Sequence, residues 1–153
     1  MVHLFRSSPE SRPVRRDAQG LVLYDGVCGL CDRTVQFFLN VDRHRVLMFA
    51  PLQGETATSL LGSHNAIKNN LESIIFIRDY STFNAATFLR SEAILQILNE
   101  VGGFWRVLSW LRIIPRPLRD IVYDWIGRNR YRWFGKFPEC RIPSGEARAR
   151  FLP

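Results

Sequence analysis

Cys28 and Cys31 are separated by Gly29 and Leu30, a spacing that lets two sulfurs close a small reversible disulfide ring when the first turn of a helix holds them. The unbonded N–H groups and positive end of such a helix favour a thiolate at the first cysteine, lowering its pKa below the free value of about 8.5. Cys28 is therefore the expected nucleophile. Cys31 shares a helical stripe with Val35 and Phe38, which turns it inward and keeps its thiol protonated until a mixed disulfide forms at Cys28. It then resolves that intermediate by attacking the Cys28 sulfur. Asp25 lies three residues before Cys28. Partly buried, it would have a raised pKa and shuttle a proton to or from Cys31; alternatively its carboxylate caps the turn or the helix N-terminus. Its charge also opposes a thiolate at Cys28, so the direction of its effect stays open.

Two blander readings of the pair compete with exchange: small buried residues, or half of a zinc site. Zinc needs two further ligands, for which His44, His64 and Cys140 are the candidates. None forms a second close pair with standard spacing, and no metal or other cofactor is expected. An Asp at the end of an apolar run is also similar to the nucleophile of haloacid-dehalogenase-like phosphatases, but Val27 stands where their second Asp would be.

The elements that must position the pair can be read from periodicity. Leu21 to Tyr24 is an apolar strand ending at the Asp25-Gly26 turn. Cys31, Val35, Phe38 and Leu39 line one face of a helix. Val46 to Ala50, closed by Pro51, is an unalternating strand of the kind covered on both faces. These three make a βαβ unit with parallel strands. A short helix over Glu55 to Leu61 follows, then a weakly patterned polar stretch, a strand at Ile74 to Ile77, and Ala86 to Leu89 pairing with it. Ser91 is the expected N-cap of a helix that carries Ile94, Ile97, Leu98 and Val101 and ends at Gly102-Gly103. Phe104 to Leu111 continues as a helix with Phe104, Val107, Leu108 and Leu111 on one face, until Pro115 and Pro117 break it. A last helix shows Leu118, Ile121, Val122 and Trp125 on one stripe, with Asp124 and Arg128 placed for an exposed ion pair. The final twenty residues read as irregular.

With 153 residues, 46% of them hydrophobic, the chain can bury one sizeable core and is too short for two. The expected division is a flexible segment over 1–20, a redox core over 21–103, and a helical, basic and Trp-rich extension over 104–153 packed on that core. Residues 1–20 lack the apolar stretch of a secretory signal, and no apolar run approaches the roughly 20 residues of a membrane span. Three cysteines make a poor disulfide framework. A cytoplasmic location is the expectation.

Leu23-Tyr24-Asp25-Gly26-Val27-Cys28-Gly29-Leu30-Cys31, followed by Phe49-Ala50-Pro51-Leu52-Gln53, resembles the DCC family of predicted thiol-disulfide oxidoreductases, whose name refers to the Asp and two Cys matched by Asp25, Cys28 and Cys31. The resemblance extends through Pro115 to Asp120 and Asn129 to Gly135. It implies an α/β, thioredoxin-like β-α-β-α-β-β-α core with a C-terminal helical extension, and a redox activity without a named substrate. Cys140 resembles a position the family often fills with Cys. Where thioredoxins carry a cis-proline facing the disulfide, this sequence reads Leu71-Glu72-Ser73-Ile74, so substrate docking is expected to differ.

The net charge of +7 favours acidic partners or anionic surfaces. Trp105, Trp110, Trp125 and Trp133 alternate with arginines in the extension. The apolar stripes assign Phe104 and Trp125 to the core; membrane-surface or acidic-partner docking through the Arg and Trp residues is the second reading, and nucleic acid is not expected. Cys140 is read as a packed or free thiol rather than a third redox partner. His3, His44 and His64 are read as surface residues. The function expected is dithiol-disulfide exchange with a protein or small-molecule substrate, which requires Cys28 exposed, at a helix N-terminus and within reach of Cys31. The alternative is a non-enzymatic adaptor or anchor with a redox-sensing pair and a partner-binding tail.

Overall fold

Leu21, Val22, Leu23 and Tyr24 offer no polar face to water, so a strand built from them must be covered on both sides. The structure, a computed structural model, describes residues 20–62, 74–81 and 85–153. In it β1 (Gly20–Tyr24) is buried along its whole length. A helix, α1 (Gly29–Val41), carries the chain to β2 (Leu47–Pro51), which lies parallel to β1 with Val22 opposite Phe49. After α2 (Glu55–Leu61) comes β3 (Ile75–Arg78), antiparallel to β1, and β4 (Ala86–Leu89), antiparallel to β3. The sheet order is β2-β1-β3-β4, and α3 (Arg90–Val101) completes the thioredoxin-like β-α-β-α-β-β-α core. The N-terminal segment expected to be flexible, the polar stretch after Gly62, Leu71-Glu72-Ser73, His3 and His64 lie outside the described residues, apart from Gly20 itself.

Alternation along the strands divides the core into two layers. Val22, Tyr24, Phe49 and Phe76 meet Val35 and Phe38 of α1 and Ile97 of α3 on one face. Leu21, Leu23, Met48 and Ile75 meet Ala57 and Leu61 of α2 on the other. Burying Val35 and Phe38 stabilises α1 by roughly 1.5–3 kcal/mol each, which holds its N-terminus, and therefore both cysteines, against the sheet.

Beyond α3 the extension comprises a 3-10 helix (Gly103–Ile113), α4 (Arg116–Phe134) and a short 3-10 segment (Gly145–Arg150). The last residues, expected to be irregular, are tied down. Phe151 stacks on Phe49 at 5.4 Å, the Leu152 N–H donates to the Phe49 carbonyl at 2.8 Å, and Arg150 donates to the Leu47 carbonyl and to buried Asp42. This covers an otherwise open edge of β2.

Several expectations need correction. Ser91 is not the cap of α3: the helix begins at Arg90, and the Ser91 hydroxyl instead donates to the Asp120 carboxylate at 2.5 Å, because a charged acceptor makes the stronger bond. Asp124 pairs with Arg90 at 3.3 Å, rather than with Arg128. The segment after Gly103 is helical but wound with three residues per turn, so its faces differ from those of an α-helix. Trp105 and Leu108 pack inward, while Phe104, Val107, Trp110 and Ile113 form an outward ridge. Phe104 and Trp125, assigned to the core, are 73% and 58% exposed. In α4 the apolar stripe of Leu118, Ile121, Val122 and Trp125 faces out. The opposite stripe of Asp120, Tyr123, Asp124 and Arg130 makes the polar contacts with the rest of the chain.

Candidate functional site

β1 stops at Tyr24 because the next three residues build a turn. The Val27 N–H donates to the Asp25 side chain at 3.2 Å and the Cys28 N–H to the Asp25 carbonyl at 3.3 Å. The chain then enters α1 with Cys28 as its N-cap, in extended conformation, and the Cys28 sulfur accepts the Cys31 N–H at 3.4 Å. The sulfur thus occupies the place where a capping oxygen would satisfy the free N–H groups of the first turn.

That position sets the protonation of the pair. The Cys31 thiol donates to the Cys28 sulfur, and this bond is the largest influence lowering the Cys28 pKa; burial opposes it, while the N–H groups of Cys31 and Leu30 and the Arg130 guanidinium add to it, leaving Cys28 at about 6. Cys31 is pushed far up by the same bond, by burial and by the facing thiolate. The two sulfurs are thus driven in opposite directions, Cys28 down and Cys31 up.

Asp25 is buried, yet its carboxyl lies below the usual range. Burial acts to raise it, but four donors overcome this: the Tyr131 hydroxyl at 2.6 Å, the Gln53 amide at 2.9 Å, the Val27 N–H, and Arg130 at 3.5 Å. The raised pKa anticipated on burial is therefore not found, and the turn-capping arrangement is. The carbonyl oxygen of the Gln53 side chain also accepts the Gly26 N–H at 3.2 Å, so the loop after β2 braces the loop after β1.

Arg130, Tyr131 and Gln53 were not singled out from the sequence. The available signal was in α4, where Asp120, Tyr123, Asp124 and Arg130 recur at helical spacing as a second, polar stripe. Arg130 is 5% exposed, lies 3.5 Å from the Asp25 carboxylate, and its charge favours ionisation of both cysteines. Tyr123, half-buried, receives the Ile74 N–H at 3.0 Å, and its pKa is pushed up to about 12 by desolvation first and by Cys31 among lesser causes.

The expectation of an exposed Cys28 is corrected by the chain that follows α4. The Gly29 N–H donates to the Gly135 carbonyl at 3.1 Å and the Phe137 N–H to the Val27 carbonyl at 2.7 Å, forming a strap that bridges Cys28 with Lys136. Cys28 is fully buried and Cys31 nearly so. Gly29 is required by this approach, because a Cβ there would collide with the Phe134 carbonyl. Cys140, further along the same segment, packs against Gly26 with its sulfur 3.9 Å from the Tyr24 hydroxyl. The tail therefore folds back to the turn that carries the pair. Among the described residues no three His, Cys, Asp or Glu side chains converge as a metal site, and His44 is exposed on the loop after α1.

A family model described as DCC1-like thiol-disulfide oxidoreductase matches residues 22–136. The chain is similar to the uncharacterized protein YuxK of Bacillus subtilis (strain 168), with 38% identity over 133 residues, 87% of this chain and 93% of that protein. It is also similar to a chloroplastic DCC family protein of Arabidopsis thaliana, with 30% identity over 127 residues, 82% of this chain and 71% of that one. No solved structure matches.

Proposed function

The chain belongs to the DCC1-like thiol-disulfide oxidoreductase family, and from that premise we propose that it exchanges dithiol for disulfide through Cys28 and Cys31. The observation that carries the reading is Cys28 as the N-cap of α1, its sulfur accepting a backbone N–H and lying near Arg130, with its pKa held at about 6. At neutral pH such a thiol is mostly ionised.

The Cys28 thiolate attacks one sulfur of a protein or small-molecule disulfide, forming a mixed disulfide and expelling a substrate thiolate. That thiolate takes the proton of Cys31, whose hold on it weakens once Cys28 no longer carries charge. The Cys31 thiolate attacks the Cys28 sulfur, closes the Cys28–Cys31 disulfide and releases the second substrate thiolate. The substrate gains two electrons and the pair loses two. Asp25, ionised and tied to Arg130 and Tyr131, acts as the positioning residue that keeps the guanidinium beside the pair. The strap over Cys28 lifts for substrate to enter. With three cysteines and no disulfide framework in the sequence, the reducing cytoplasm is the place proposed for this work.

The number of alkylatable thiols, read by mass across a series of glutathione redox buffers, tests the proposal. Joint loss of Cys28 and Cys31 at one midpoint is the expected result; independent thiols at every poise would refute it. The burial of Cys28 favours a second reading, an adaptor whose pair senses redox poise without turnover. A reversible midpoint with no catalysed reduction of any disulfide substrate would select it.

A further inference from the structure

We propose that the outer face of the extension, formed by the 3-10 helix and α4, docks on an anionic membrane surface. Helix α4 is turned inside out for a protein surrounded by water. Its polar stripe makes the contacts with the fold, through Asp120 with Ser91, Asp124 with Arg90, Tyr123 with the Ile74 backbone, and Arg130 with Asp25. Its apolar stripe points away, with Ile121 65% and Trp125 58% exposed. The preceding 3-10 helix repeats the arrangement, leaving Trp110 70% and Ile113 85% exposed. Both elements pack on α3, and their junction is held by Arg119, which donates to the Ile114 carbonyl at 3.1 Å and pairs with Glu92 of α3, as does Arg112. Contiguous exposed apolar side chains on this scale mark an interaction surface.

Charge decides the occupant. Between Gly103 and Phe134 the sequence holds seven arginines and two acids, and both acids are engaged within the fold. Arg106, Arg116, Arg128 and Arg132 form no ion pair among the described residues. A second copy would bring this cationic face against itself. Apolar side chains with tryptophans, flanked by arginines, instead fit the boundary between acyl chains and anionic headgroups. Among the described residues no helix is long and apolar enough to cross a membrane, so the face lies on the surface.

The test is co-sedimentation of the full chain with vesicles of phosphatidylcholine alone or with about one third phosphatidylglycerol, alongside tryptophan emission. Binding to the anionic vesicles, weakening with salt and shifting the emission to shorter wavelength, is expected. The R116Q/R128Q/R132Q variant should lose about fivefold in partition per arginine, and I113S/I121S about tenfold or more per isoleucine. The altered side chains are exposed, so both variants should keep the wild-type melting temperature. Equal binding to neutral and anionic vesicles, or none to either, overturns the proposal. A dimer in sedimentation velocity without vesicle binding would reassign the face to a second copy, and capture by polyglutamate without vesicle binding to an acidic protein.

Discussion

Replacing Cys31 with alanine removes the strongest influence on the Cys28 thiolate and leaves the others in place. In the folded protein the Cys31 thiol donates to the Cys28 sulfur, while the N–H groups of Cys31 and Leu30 and the Arg130 charge contribute separately. A hydrogen bond to a charged group is worth about 1.5–3 kcal/mol, and 1.36 kcal/mol corresponds to one pH unit of titration midpoint. The Cys28 midpoint should therefore rise from about 6 by about one to two pH units. The thiolate absorbs near 240 nm, so a pH series on reduced protein reads the midpoint directly, with Cys140→Ser as the background in both samples to leave Cys28 as the thiol titrating near neutrality. Because absorbance reports equilibrium ionisation, the burial of Cys28 under the strap does not disturb the measurement. A midpoint that stays near 6 in Cys31→Ala would show that the partner thiol does not stabilise the charge, and a wild-type midpoint near 8.5 would sink the whole account of the N-cap.

Asp25→Asn removes the buried carboxylate paired with Arg130 and should cost about 3–5 kcal/mol in urea unfolding, whereas Tyr131→Phe, losing one bond to that carboxylate, should cost about 1–3 kcal/mol; equal, small losses would mean that the cluster does not hold the site. Gly29→Ala should lower stability by about 1–3 kcal/mol and speed alkylation of Cys28, because the added methyl pushes the Phe134 carbonyl and the strap away; unchanged alkylation would argue against the strap as the barrier. The reduced protein should gain stability as pH rises from about 6, the Cys28 value in the fold, towards about 8.5, where the unfolded thiol ionises. Within that window the unfolded chain binds more protons than the native one, so the gain reaches about 2–3 kcal/mol and disappears as pH falls through 6. Above 8.5 the raised Cys31 pKa reverses the trend, since the native protein then retains a proton that the unfolded chain has lost. Cys28→Ser, compared with wild type at pH 6 and pH 8.5, isolates the effect, and a flat difference would refute it.

Local chemistry was enough to place the cysteine pair. A strand without polar residues, a turn at Asp25-Gly26, and an apolar stripe beginning at Cys31 are short-range signals, and each acts through sterics or burial that neighbouring residues decide. They located the βαβ unit, the start of α1 and the inward side of Cys31, and β3 and β4 followed from their apolar runs. What the tertiary structure decided lies where a contact spans a hundred residues or where helical period alone is ambiguous. Arg130 reads as one more arginine on a basic helix, yet its partner is Asp25, 105 positions away. The apolar stripe of α4 reads as a core face, but the polar stripe opposite has Ser91, Arg90, the Ile74 backbone and Asp25 to bond, partners that the period of the helix does not reveal. The ridge of Phe104, Val107, Trp110 and Ile113 is invisible to a 3.6-residue period and appears once the segment winds at three residues per turn. Even the burial of Cys28 is a tertiary matter, because only the folded chain shows that the residues after α4 return to cover it.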